Sequence, residues 1–232
     1  PHIRFGEISI RQIVNSLGEI NTVDQETFYK ELVWREFSYH LLFHFPHLIN
    51  TNLQSKFNTF PWSEDRHNLE LWQQGLTGFP IVDAGMRQLW ETGYMHNRVR
   101  MIVGSFLVKN LLVHWKYGQA WFWDTLVDAD IASNSASWQW VAGTGADAAP
   151  YFRIFNPITQ SSRFDPNGDY IKKYIPELKN IPSKFIHMPN EMDSNSLLSY
   201  GVHLGSDYPY PIVDLKKSRE VALTAFRSLS KN

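Results

Sequence analysis

This sequence predicts an all-α domain. Three observations point that way. Apolar residues recur at helical spacing, proline and glycine punctuate the ends of those runs, and alternating period-two segments are almost absent. No internal repeat, low-complexity tract or clear linker divides residues 1–232, so they read as one unit.

The elements follow in order. In 25–45, Phe28, Leu32, Phe37, Leu41 and Phe45 keep near-helical spacing, and Pro46 ends the run. Residues 80–93 open on Pro80, whose fixed φ suits a first helical turn, and close near Gly93. Residues 98–116 are apolar on most sides (Met101, Ile102, Val103, Phe106, Leu107, Leu111, Leu112), which predicts one deeply buried helix. A short aromatic helix is expected over 119–127. Residues 157–212 are rich in Pro, Asn, Asp and Ser, with short helices expected at 168–175 and 195–199. A C-terminal helix starts near Asp214, an N-cap after Pro211.

The tract 124–156, DTLVDADIASNSASWQWVAGTGADAAPYFRIFNP, mixes spaced carboxylates, small residues and two tryptophans. Asp130 and Asn134 stand four apart, on one helix face. Ala129, Ala132, Ser133, Ser135, Ala136 and Ser137 would let a flat ligand approach the backbone, and Trp138 and Trp140 add aromatic surface. The tract therefore suits a wall for a polar, flat, aromatic cofactor. An acid-capped helix start with a tryptophan-anchored core suits the same residues.

Composition narrows the classes. Nine tryptophans and 15% aromatics are more than core filling asks for. There is no cysteine, which excludes disulfides and thiolate-bound metal and fits a reducing compartment. The formal charge is −1, so any nucleic-acid contact must come from a local patch. No apolar run approaches a membrane span, no signal peptide is visible, and no metal site is expected. The chain opens on PHIRFGEIS without an initiator methionine, so a fragment is expected.

Three further constellations are candidates. Glu31, Trp34 and Arg35 share a helix face; they suit an aromatic, polar ligand, or a plain surface ion pair. In YMHNRVRM, Asn97 and Met101 share a face and Arg98 and Arg100 add positive charge; the same residues would serve as a polar helix start. In PYFRIFNPITQSSRF, Arg153, Gln160 and Arg163 interleave with aromatics, as in nucleic-acid contacts or an ordinary surface loop.

ELVWREF, PIVDAGMRQL, GYMHNRVRM, SFLVKNLL, DADIASNSASWQW, TGADAAPYFRIFNP and FDPNGDYIKKYIPEL occur in that order. Together they resemble the helical FAD-binding domain of the photolyase/cryptochrome family, most closely the bacterial-type cyclobutane pyrimidine dimer photolyases. The resemblance runs over nearly the whole chain. Its opening is similar to the family segment just after the phosphate-binding loop. That loop, an upstream tyrosine and the N-terminal α/β antenna domain are expected outside residues 1–232, and with them a folate- or deazaflavin-type antenna pigment.

The resemblance implies a folded FAD held by Arg35, Asp128, Ala129, Asp130 and Asn134, with Asn134 facing flavin N5. It implies a pocket for a flipped-out pyrimidine dimer from Glu31, Trp34, Asn97, Met101 and Trp140, with Arg98 and Gln160 on the DNA side. Trp62, Trp115 and Trp138 match the family's electron-carrying tryptophans. Phe28 stands where the family often has tryptophan. Asn134 is the photolyase-like residue where photoreceptor cryptochromes carry Asp or Cys. The tract around His96 lacks the histidine-rich pattern of six-four enzymes. The expected protein is a monomeric, cytoplasmic, bacterial enzyme acting on damaged DNA. A cryptochrome-type signalling receptor and a flavin-free helical DNA-binding remnant are the alternatives.

Overall fold

The structure is a computed structural model that describes residues 1–148, 150–151 and 153–229. Eleven α-helices build the described part: α1 (Ile10–Leu17), α2 (Val23–His44), α3 (Arg66–Gln74), α4 (Pro80–Thr92), α5 (Asn97–Ser105), α6 (Trp115–Thr125), α7 (Ile131–Ala142), α8 (Pro157–Phe164), α9 (Asp169–Tyr174), α10 (Ser194–Ser199) and α11 (Leu215–Leu229). Among the described residues, β-structure is confined to two isolated bridges, Ser63 with Val113 and Leu204 with Tyr208. The all-α expectation holds. Ala149 and Phe152 of the TGADAAPYFRIFNP motif lie outside the described residues.

Local chemistry sets the ends. Ser9 with Gln12 and Thr22 with Gln25 form reciprocal capping boxes at α1 and α2. The Asp65, Asp130 and Asn156 side chains accept amides of the first turns of α3, α7 and α8. Pro80 starts α4, and Gly93 and Gly143 close α4 and α7 in the left-handed conformation. The Asp214 carboxylate accepts the Lys217 amide at 2.8 Å, as expected of an N-cap for α11.

The single helix expected over 98–116 is corrected. It breaks into α5, a π turn over Phe106–Asn110, and α6. Leu111 N–H reaches back to Phe106 C=O, so one extra residue enters the ladder. Leu112 then takes φ 55, and Ser63 N–H donates to Leu112 C=O at 2.8 Å. A run that is apolar all round gives no periodic sign of such a break. The helices α1, α3 and α8 were also outside the expectations.

The main core gathers α3 to α7 around Trp72, Phe79, Met86, Val103, Phe106, Trp115, Phe122 and Trp138. Trp138 of α7 lies in a slot between two glycines. A Cβ on Gly118 of α6 would stand 2.1 Å from the indole, and one on Gly104 of α5 3.7 Å from it. Phe122 and Trp72 meet the indole edge-on at 5.0 and 6.2 Å. The neighbouring Gln139 is fully buried and fully bonded. Its amide donates to Leu48 and Thr51 carbonyls and accepts from Leu53 N–H and Thr144 Oγ1. A second cluster around Ile171, Ile175, Leu178 and Ile186 packs through Ala84 onto α4. There Asp83 is buried, and burial pushes its pKa up. It accepts from Thr77 N–H, Thr77 Oγ1, Gly78 N–H and Tyr208 OH, which ties the C-terminal segment to α4.

Gly118→Ala is expected to reverse the usual helix preference. Alanine stabilises an exposed helix interior by roughly 1 kcal/mol. Here its methyl would drive into the Trp138 ring, with an overpacking cost of about 2–3 kcal/mol. Chemical denaturation should show that loss for Gly118→Ala and a much smaller one for Gly104→Ala. Equal effects would mean that the slot does not constrain α7.

Candidate functional site

The N-terminus of α7 gathers several charged and polar side chains where α2 packs on α7. Asp130 caps α7 through Ser133 N–H at 2.8 Å. Its second oxygen accepts a short hydrogen bond from Tyr39 OH of α2. Arg35, one turn earlier on α2, lays its guanidinium 4.7 Å from the Tyr39 ring and pairs with Glu36 at 2.8 Å. Arg4 closes the other side. Its Nε donates to Ala129 C=O at 2.5 Å and stands 3.9 Å from Asp130. Arg100 of α5 reaches Asp128 at 3.3 Å and holds Met95 C=O at 2.6 Å. The structure thus brings Arg35, Asp128, Ala129 and Asp130 into one neighbourhood.

Arg4, Tyr39 and Arg100 complete the group without having been singled out for it. Tyr39 carried a usable signal, four residues after Arg35 on one face. Arg4 carried none, because it lies 125 residues from Ala129.

Electrostatics follow from this wiring. Burial pushes the Asp130 pKa up, but hydrogen bonds from Ser133 and Tyr39 outweigh it, helped by Arg35, and the net shift is down. Tyr39 moves up through burial and its bond to Asp130.

Asn134 lies one turn further along α7 and is 9% exposed. Its Nδ2 donates to Gln119 C=O at 2.9 Å, and Gln119 is itself held by a bond to Ser135 Oγ at 2.6 Å. The amide is therefore oriented. Its Oδ1 makes no hydrogen bond among the described residues and is left as an acceptor. Trp138 follows after another turn, so Asp130, Asn134 and Trp138 form one line along α7.

The remaining candidates are spread over neighbouring helices. Glu31 and Trp34 are exposed on α2, Trp34 at 45%, with Phe37 edge-on at 5.7 Å. Asn97 opens α5 and is exposed, while Met101 is half-buried. Trp140 is half-buried against the main core. Arg98 lies 4.6 Å from the Phe164 ring, which brings α5 beside α8 and Gln160. Helices α2 and α5 both pack on α7, so these side chains belong to one region. No hydrogen bond joins Glu31, Asn97 and Gln160 to one another among the described residues.

Trp115 and Trp138 lie in the main core and Trp62 packs against it. Trp62 and Trp115 flank His114, at 5.0 and 5.3 Å between ring centroids. Trp115 is fully buried and donates its Nε1–H to Asn52 Oδ1 at 2.8 Å. One turn on, Gly118 abuts Trp138.

FAD presents hydroxyls, a diphosphate and a ring edge with donors and acceptors. Three guanidiniums, two carboxylates, the small Ala129 and the free Asn134 Oδ1 offer complementary partners, so the residues present fit that cofactor.

Comparison with known proteins agrees. Residues 28–228 match the family described as the FAD binding domain of DNA photolyase. A deoxyribodipyrimidine photo-lyase from Agrobacterium fabrum is 54% identical over all of this chain and 49% of its own length. Cryptochrome-1 of Arabidopsis thaliana is 40% identical over 94% of this chain and 34% of its own. The crystal structure of a bacterial class III photolyase from Agrobacterium tumefaciens superposes with a TM-score of 0.96 at 53% identity, covering 100% of this chain and 49% of that one. The fold and site define a photolyase-type flavin-binding helical domain. The chain belongs to the photolyase/cryptochrome family and spans about half the length of the curated photolyases it matches.

Tyr39→Phe is expected to raise the Asp130 pKa toward its ordinary value and to remove about 1–2 kcal/mol of stability at neutral pH. The folded pKa of Asp130 is depressed, so its contribution is full above the unfolded value and is lost as pH falls through the folded one. The variant's deficit should therefore shrink under acid. Thermal unfolding from neutral to acid pH checks this; a deficit independent of pH would contradict it.

Proposed function

We propose that these residues form the cofactor- and lesion-binding part of a light-dependent DNA photolyase that repairs cyclobutane pyrimidine dimers. When bound, reduced FAD supplies the photoexcited electron that opens the cyclobutane ring and then takes it back. The observation that supports the reading best is the line on α7: a wired carboxylate at Asp130, an oriented open acceptor at Asn134 and a slotted indole at Trp138, each one turn apart.

Roles follow from chemistry. Asp128, Asp130 and Arg35, with Arg4 and Arg100, hold the polar portions of the cofactor. Asn134 Oδ1 accepts from a ring N–H. Trp34 and Trp140 give apolar faces to a flipped-out pyrimidine dimer, and Glu31 accepts from its N–H groups. Flipping is needed because the bonds to be broken are shielded in the duplex, and a damaged site costs less to unstack. Asn97 and Met101 line the same pocket, while Arg98 and Gln160 face the strand. Trp138, Trp115 and Trp62 pass electrons inward when the cofactor is oxidised. An antenna pigment and its domain belong to a longer polypeptide in this reading, which acts on DNA as a cytoplasmic monomer. Cryptochromes share this fold, so a blue-light receptor is the competing reading.

The test is light-driven repair of a thymine-dimer oligonucleotide by protein carrying this chain and reduced FAD. The ultraviolet absorbance of undimerised thymine in the oligonucleotide should return under blue light. Glu31→Gln, which keeps size but removes charge, should lower repair yield severalfold and leave damaged-DNA affinity near the parent value. Stable flavin binding with no repair under any light dose would favour the receptor reading.

A further inference from the structure

We propose that His114 is the aromatic bridge that sets the outer step of the tryptophan path, between Trp115 and Trp62. The inference rests on the reading of Trp62, Trp115 and Trp138 as an electron path.

Geometry supports it first. The imidazole stands 5.0 Å from Trp62 at a tilt of 52° and 5.3 Å from Trp115 at 37°. No direct ring pair joins the two indoles among the described residues. Electron tunnelling weakens exponentially with the gap between rings. A π-system filling that gap couples the two indoles better than water or aliphatic atoms would.

The backbone around His114 is built to keep it there. The Ser63–Val113 bridge and the bond from Ser63 N–H to Leu112 C=O tie the residue after Trp62 to the residues before His114. Val113 N–H is held by Leu107 C=O at 3.1 Å. Leu112 sits at φ 55, the one non-glycine residue with positive φ among those described. A leucine there is strained, and such strain persists only where its surroundings enforce it. The ring rotation is fixed too. His114 Nδ1 accepts Lys116 N–H at 3.1 Å as the N-cap of α6, so the neutral ring carries its proton on Nε2.

Charge agrees with geometry. Burial, with a smaller effect from Lys116, pushes the His114 pKa down to about 4. The ring is therefore neutral at neutral pH. An imidazolium between two indoles would raise the energy of a positive charge on either. Lys116 on its own helix is the charged group that acts on it, and Glu64, Asp65 and Arg66 line a small cavity with Val113, the residue before His114.

The step balances simply. Trp115, once oxidised by Trp138, takes one electron from Trp62 across the imidazole. Trp115 returns to a neutral indole, Trp62 becomes the radical cation, and no bond or proton moves. Light and oxidised flavin supply the initial oxidation of Trp138, and a soluble thiol restores Trp62. Half-exposed Trp62 holds the charge nearer water than the buried Trp115.

Two substitutions separate the ring from the cap. His114→Asn keeps a capping acceptor and loses the aromatic ring. His114→Phe keeps the ring and loses the cap. In flavin-loaded protein followed by transient absorption, His114→Asn should cut the yield of long-lived tryptophan radical severalfold. His114→Phe should hold it near the parent value at reduced thermal stability. Trp138→Phe should abolish it. In the flavin-free protein, parent tryptophan emission should show a quenching step near pH 4 as the imidazolium forms. Both His114 variants should lack that step. If Trp138→Phe leaves the radical yield intact, the electron-path reading falls and takes this inference with it. If Trp138→Phe abolishes the yield while His114→Asn matches the parent, the path stands and the bridge is wrong. Equal losses in His114→Asn and His114→Phe, tracking thermal stability, would reduce His114 to a helix cap and overturn the proposal.

Discussion

The arrangement depends on one steric constraint: the indole of Trp138 fills a slot that only small residues can leave open. Gly118 supplies one wall without a side chain, and Gly104 the other. A close-packed interior transmits such a fit, because neither helix can shift without opening a void or making a clash. Helix α7 is thereby fixed against α5 and α6. Gln139 extends the constraint outward, since its buried amide holds the chain over residues 48–53 and Thr144 through four hydrogen bonds. A buried amide with all partners present specifies one arrangement, because any slip leaves polar atoms unpaired.

The polar group at the start of α7 is a consequence of that placement. Asp130 caps the helix and also reaches Tyr39 on α2, so one carboxylate sets both the helix end and the crossing of α2 over α7. Arg4 and Arg100 then approach from two distant parts of the chain and pair with Asp130 and Asp128. All these side chains keep some exposure, so each pair contributes modestly to stability. Their value is positional, in keeping donors and acceptors aimed at a common region. The same helix brings Asn134 and Trp138 into line behind Asp130.

Much of this was legible in the sequence, for identifiable reasons. The 25–45 periodicity, Pro80 with Gly93 and the Asp214 cap marked α2, α4 and the start of α11 to within a few residues. Those signals are local, and local chemistry decides helix ends. The break at Phe106–Leu112 was not legible, because a π turn and a β-bridge to Ser63 are chosen by packing across 50 residues of chain. Motif order revealed the family, and the tract around Asp130 pointed to the polar group. Arg4 and His114 stayed hidden, since each acts through a neighbour that the fold supplies. The orientation of Asn134 was equally out of reach, as it is set by one main-chain carbonyl at Gln119.

Amide hydrogen exchange along α7 tests the central claim most directly. If the glycine slot and Gln139 fix this helix, the amides from Ser135 to Val141 should exchange only through global unfolding. Their protection should then match the free energy from denaturant unfolding, alongside the buried amides of α4. Exchange of α7 through a local opening of much lower free energy, with α4 still protected, would contradict the account.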